Sequence, residues 1–146
     1  MRGTFDFSFD KTSLDNFDAQ CQVAISKLGS GSRKALRAAC EEILGESMAQ
    51  VPQDTSTLLL SAFWDITGDY KNGWSAIIGY GGNGDPINPK TGKPASSYMM
   101  AVHEDLTAQH PIGKAKFLED PVRAYAATNF PRTVFKYAKE SLADMK

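Results

Sequence analysis

Over the first third of the chain, apolar residues return every three or four positions, the spacing that lines one side of an α-helix. Leu14, Phe17, Cys21, Ile25 and Leu28 form one such stripe after Thr12-Ser13, and Gly29-Ser30-Gly31-Ser32 reads as its stop. Ser32 then reads as the cap of a second helix with the stripe Leu36, Cys40, Ile43, Leu44 and Met48. That helix ends before Pro52, because the residue ahead of a proline avoids helical geometry. The run Leu58-Leu59-Leu60-Ser61-Ala62-Phe63-Trp64 fits the start of a helix or of a strand equally. Beyond it, Trp64-Asp65-Ile66-Thr67 and Trp74-Ser75-Ala76-Ile77-Ile78-Gly79-Tyr80 alternate as strands do, with Asn72-Gly73 as the turn signal, and predict an antiparallel β-hairpin.

The segment from Gly81 to Ala95 carries Gly81, Gly82, Gly84, Gly92, Pro86, Pro89 and Pro94, and predicts a long, exposed, irregular loop. Ser96 or Ser97 is placed to cap a short helix through Tyr98, Met99, Val102 and Leu106. Asp120-Pro121 opens a C-terminal helix that Pro131 kinks or restarts. The expected fold class is α+β: amphipathic helices packed on a small antiparallel sheet, in a single domain. Within it, residues 1–31 form an N-terminal helical segment, 82–95 an exposed loop and 120–146 a C-terminal helix.

Composition narrows the classes of function. The chain has 146 residues, enough for one domain that buries roughly two thirds of its unfolded surface. Lys plus Arg number 16 against 17 for Asp plus Glu, so no global field draws in a nucleic acid or an anionic membrane. The longest uncharged stretch, Asn72 to Gly84, is 13 residues, short of the roughly 20 apolar residues of a spanning helix. Met1-Arg2-Gly3-Thr4-Phe5-Asp6 offers no apolar secretion signal, which leaves the cytoplasm as the default compartment. Cys21 and Cys40 have no companions at metal-ligand spacing and read as reduced core thiols; the alternative is a disulfide joining two helices.

Each motif that suggests chemistry lacks a required part. Gly79-Tyr80-Gly81-Gly82-Asn83-Gly84 matches a dinucleotide-binding turn, but Asp85-Pro86-Ile87-Asn88-Pro89 blocks the helix that must follow. Pro89-Lys90-Thr91-Gly92-Lys93 ends like a phosphate loop but has Ile87 where the first glycine belongs. His103-Glu104 begins like a zinc-protease helix, yet the second histidine would fall at Thr107. No cofactor or metal is therefore expected, and the rival reading is a metal-dependent hydrolase built on His103, Glu104 and His110. Arg33, Lys34 and Arg37 precede Glu41, Glu42 and Glu46 on the expected second helix, the reverse of what its dipole favours. That order fits a solvated face balanced by an Arg37 to Glu41 pair, or a charged subunit contact.

Taken in order, several blocks resemble a known family. They are Val51-Pro52-Gln53-Asp54-Thr55-Ser56-Thr57-Leu58, the hairpin, Tyr98-Met99-Met100-Ala101-Val102-His103-Glu104-Asp105-Leu106, and Gly113-Lys114-Ala115-Lys116-Phe117-Leu118-Glu119-Asp120-Pro121 with a terminal helix. From about Ala35 to about Leu142 the chain resembles the neck family of tailed bacteriophages, whose members are also labelled minor capsid, minor tail or head-tail joining proteins. It departs from the family pattern at Ser56, where glycine is usual, and at Asp105-Leu106, where Gly-Thr is frequent. The resemblance implies a non-enzymatic virion protein assembled in the bacterial cytoplasm. It would form a ring of its own copies around the DNA channel, near the DNA without sequence-specific binding and away from any membrane. The implied partners are portal, adaptor, head-closure, tail-terminator or tube proteins. In that role Asp54 and Thr55 would satisfy backbone donors at the next element's start. The candidate contact residues are Arg33, Lys34, Arg37, Asn83, Asp85, Lys90, Lys93, His103, Glu104, Lys114 and Lys116.

Overall fold

A computed structural model of the protein describes residues 11–143. The chain runs α1 (Lys11–Gln50), α2 (Thr57–Leu60), β1 (Phe63–Asp69), β2 (Gly73–Gly79), a 3-10 turn (Ala95–Ser97), α3 (Met99–Glu104), α4 (Glu119–Thr128) and α5 (Phe130–Ala143). The strands pair antiparallel with Trp64 opposite Ile78 and Ile66 opposite Ala76. Helices α1, α4 and α5 pack together and α1 also lies on the hairpin, so the fold is α+β with helices on a small antiparallel sheet.

The largest departure from expectation is α1, which runs unbroken through Gly29-Ser30-Gly31-Ser32 and spans about 60 Å. The two glycines are there for close approach. A Cβ on Gly29 would lie 2.4 Å from the Tyr70 Cβ, and one on Gly31 would lie 2.8 Å from the Tyr137 carbonyl oxygen. The hairpin tip and α5 thus press directly on the helix backbone, and the indole Nε1 of Trp74 donates to the Gly29 carbonyl at 2.8 Å. Ser32 does not cap a new helix; its hydroxyl donates back to the Leu28 carbonyl at 2.9 Å. Packing against two other elements outweighs the roughly 1 kcal/mol that each glycine costs a helix interior.

A single helix changes three further readings. Cys21 and Cys40 sit on one rod about 28 Å apart, so they cannot bridge within the chain. Cys40 is buried, and burial followed by the neighbouring Glu41 pushes its thiol up, whereas Cys21 is only half-buried and is not a core residue. Arg33, Lys34 and Arg37 lie more than 20 residues from the N-terminus of α1, beyond reach of its dipole, so their order before the glutamates carries no penalty. The stripe positions Leu14 and Phe17 lie on α1, with side chains outside the described ones.

The ambiguous run from Leu58 splits. Thr57–Leu60 makes one helical turn, Ser61 donates its hydroxyl to the Leu58 carbonyl at 2.7 Å, and the strand begins at Phe63. Asp69 closes the hairpin by accepting from the Lys71 and Asn72 amides, with Gly73 at φ 91°. In place of one C-terminal helix there are two: Pro121 lies in the first turn of α4, and Pro131 restarts the chain as the second residue of α5. No helix among the described residues is long and apolar enough to cross a membrane.

The core has two parts. Leu44, Val51, Leu58, Tyr80, Ala95 and Phe117 form one, and Ala39, Ile43 and Tyr125 the other. Leu36, expected in the core, is half-buried. Alanine at Ile43 or Leu44 is expected to cost about 2 to 5 kcal/mol, and less at Leu36. The glycines give a test of sign. Gly45 has open space around its Cβ position, so Gly45→Ala should stabilise by about 0.5 to 1 kcal/mol, while Gly29→Ala and Gly31→Ala should destabilise. Urea denaturation of the three variants checks this; stabilisation at all three would mean that α1 is not packed at Gly29 and Gly31.

Candidate functional site

The candidate residues fall into three places. His103, Glu104, Lys114 and Lys116 are brought together where α3 meets the turn into α4. Phe117, only 1% exposed, anchors that meeting point. Its ring stands edge-on to Tyr80 at 5.1 Å and to the His103 imidazole at 5.0 Å. Tyr80 is itself tied to α1 by a 2.7 Å hydrogen bond between its hydroxyl and that of Ser47, and burial pushes its phenol up.

Around Phe117 the charges close on one another. The Lys116 ammonium bridges Glu104 and Glu119, the latter at 2.9 Å, and Arg123 adds a second contact to Glu119 at 2.7 Å. Lys114 pairs with Asp120 at 2.5 Å. Lys116 has φ 57°, a left-handed conformation, and its amide donates to the His103 carbonyl at 2.8 Å. The backbone therefore doubles back there, which aims the ammonium at α3. Hydrogen bonds from Lys116 and then His103 hold the Glu104 carboxyl below its ordinary range, and Lys116 does the same to Glu119. Both carboxylates in turn raise Lys116.

His103 is committed within this cluster. Its Nδ1 lies 2.8 Å from a Glu104 carboxylate oxygen, and its Nε2 accepts from the Glu119 amide at 3.3 Å, which together assign the tautomer with the proton on Nδ1. His110, seven residues on, lines a different hollow of about 380 Å³ with Asp54, Thr57, Asn88 and Tyr98. Its Nε2 is buried there without a hydrogen-bond partner. Among the described residues, no group of three His, Cys, Asp or Glu is arranged to hold a metal.

The second place is the loop from Gly81 to Ala95, which is stitched to the body rather than projecting freely. Gly82 donates to the Ser61 carbonyl, and Asn83 reaches the Leu60 carbonyl at 3.1 Å. The Asp85 carboxylate takes both the amide and the hydroxyl of Ser96. Ile87 and Pro94 form a bridge, and Asn88 is buried between the arms. Asn83, Gly84 and Ile87 are exposed, and so is the whole of the tip, residues 89–93. Within it Lys90 pairs with Asp54 at 2.6 Å, while Lys93 lies at the surface. Asp54 and Thr55 do not supply the backbone acceptors expected of them: Asp54 meets Lys90, and Thr55 shares a 2.7 Å hydrogen bond with the Thr57 hydroxyl.

The third place is α1. Arg37 pairs with Glu41 at 2.9 Å, as the four-residue spacing implies, and Lys34 lies beside Tyr137 and Glu140 of α5. The Arg33 guanidinium sits 5.6 Å from the centre of the Trp74 ring. Sequence reasoning missed what lies beneath Arg33: an apolar groove of about 530 Å³ between α1, the hairpin tip and α5, lined by Ile25, Leu28, Tyr70, Trp74, Phe130 and Val134. The apolar spacing of Ile25 and Leu28 was the available signal, but reading a helix stop at Gly29 hid their continuity with Trp74. No family model, curated protein or solved structure matches the chain.

The carboxylates around Lys116 make stability pH-dependent with a definite sign. Glu104 and Glu119 are held below their ordinary value of about 4.3, so their contribution is present above that pH and lost as pH falls through the folded values. The urea midpoint should fall on acidification from about pH 6 to about pH 3, and a Glu104→Gln/Glu119→Gln variant should show a flatter profile over that window. An identical profile in both proteins would remove the cluster from the stability of the fold.

Proposed function

We propose that this chain is a structural component of the head-to-tail junction of a tailed phage, acting by assembly of copies into a ring and by protein contact rather than by catalysis. The observation that carries the reading is the uncovered apolar surface of α1. From Ala19 to Ser30 no side chain is buried, yet Val23 is 50% exposed, Ile25 46% and Leu28 38%. Phe135 on α5 adds a large apolar side chain at 71% exposure. A long helix that leaves its apolar positions in water in one copy is suited to covering them with another chain.

One backbone detail supports the resemblance itself. Ser56, where the family pattern has glycine, adopts φ 58°, the left-handed region that glycine occupies without strain. The local geometry is thus one that favours the residue that the pattern supplies. The candidate contact residues divide under this reading. His103, Glu104, Lys114 and Lys116 hold their own subunit together, and Arg33, Lys93 and the exposed apolar positions of α1 are left to meet a neighbour.

Light scattering of the purified protein, alone and with a portal or tail-tube preparation, tests the proposal when metal content is measured on the same sample. A metal-free species that forms a ring, or grows when the partner is added, is the expected result. A metal-loaded species indifferent to both preparations would overturn it and return attention to His103, Glu104 and His110 as a hydrolytic site.

A further inference from the structure

The groove between α1, the hairpin tip and α5 has a matching ligand in the chain's own first residues. Residues 4–10 read Thr-Phe-Asp-Phe-Ser-Phe-Asp, with Phe5, Phe7 and Phe9 alternating with small polar or acidic residues. An extended segment with that period presents its three rings to one side and Asp6 and Ser8 to the other. The groove offers the complementary surface: apolar walls from Ile25, Leu28, Tyr70, Trp74, Phe130 and Val134, with cations on two of its rings. Arg33 lies 5.6 Å from the Trp74 ring centre and Lys71 5.8 Å from that of Tyr70. The segment from Thr4 to Asp10 carries two acidic residues, Asp6 and Asp10, and no basic one.

Reach decides whose groove it enters. The described part of α1 starts at Lys11, and Ile25 and Leu28 lie about 21 Å and about 26 Å further along it at 1.5 Å per residue. Fully extended and folded back along its own helix, the chain would bring Phe9 at most about 7 Å from Lys11, Phe7 about 14 Å and Phe5 about 22 Å. Even with the length of a phenyl ring added, Phe9 falls short of the groove and Phe7 comes no further than its near edge, so the three rings cannot fill the groove of their own subunit together. A second copy has no such limit.

We propose that the segment Thr4–Asp10 of one subunit docks its three phenylalanines into the α1–hairpin–α5 groove of the next. The contact joins two different patches, so each subunit gives its N-terminus to one neighbour and receives that of another, the arrangement that closes into a ring. This deepens, and in that respect rests on, the reading of the chain as a self-assembling ring component.

The test uses the full chain, a Phe5→Ser/Phe7→Ser/Phe9→Ser variant and a synthetic peptide of residues 1–10. Wild-type protein should show a mass several-fold that of the triple variant, with the same circular dichroism. The peptide should bind the triple variant and change the fluorescence of Trp74, and Ile25→Glu, at a surface position that folding does not need, should weaken that binding at least tenfold. A peptide that leaves the fluorescence unchanged, or binds the Ile25→Glu form as well as its parent, overturns the inference. The two readings fail separately. Ring formation with no peptide binding removes the N-terminal contact and leaves the ring. Peptide binding with no growth on portal or tail-tube preparations removes the junction role and leaves the contact.

Discussion

Helix α1 can be packed on from both sides at one level because two of its residues have no side chain. At Gly29 the hairpin tip rests on the helix backbone, and at Gly31 α5 does. The Trp74 indole is hydrogen-bonded to the helix at the same level. With α4 and both strands also packed on it, α1 is the element against which the large pieces of the fold are positioned. A side chain at either glycine would push a whole element away, which is why the cost of glycine in a helix interior is outweighed here.

The second constraint is the buried ring of Phe117. It draws together three stretches distant in sequence: the end of β2 through Tyr80, α3 through His103, and the start of α4. The surrounding charges then follow from where the backbone has been placed. Lys116, turned back in a left-handed conformation, has Glu104 and Glu119 within reach, and the pairing uses residues whose polarity and spacing had suggested an exposed contact. Exposed ion pairs contribute modestly one by one, but a lysine shared between two carboxylates fixes the orientation of α3 against α4. His103 has both of its ring nitrogens engaged within this cluster.

On the proposed reading, the contact surface is what the fold leaves uncovered. The polar candidates on α3 and before α4 are satisfied internally, and the Gly/Pro-rich loop is bonded along most of its length. The apolar side chains of α1 between Val23 and Leu28, the groove beside them and Phe135 remain in water. Burying such surface is the general driving force of subunit association.

Local pattern alone was enough for the elements whose determinants are close in sequence. The hairpin was legible because strand alternation and Asn72-Gly73 lie within one short stretch, and the Arg37 to Glu41 pair because helix geometry sets its spacing. The role of Pro131 was half legible: a proline near a helix start permits a kink or a restart, and the break at Asn129 between α4 and α5 makes it a restart. The continuity of α1 was not legible, since Gly-Ser-Gly-Ser is a helix stop by propensity and becomes a helix only because Tyr70, Trp74 and α5 pack where side chains are missing. Nor was the fate of His103, Glu104 and Lys116, whose partners come from segments brought together by the burial of Phe117. Periodicity and turn chemistry act over a few residues and can be read along the chain, whereas close approach and ion pairing depend on distances that exist only once the distant segments have met.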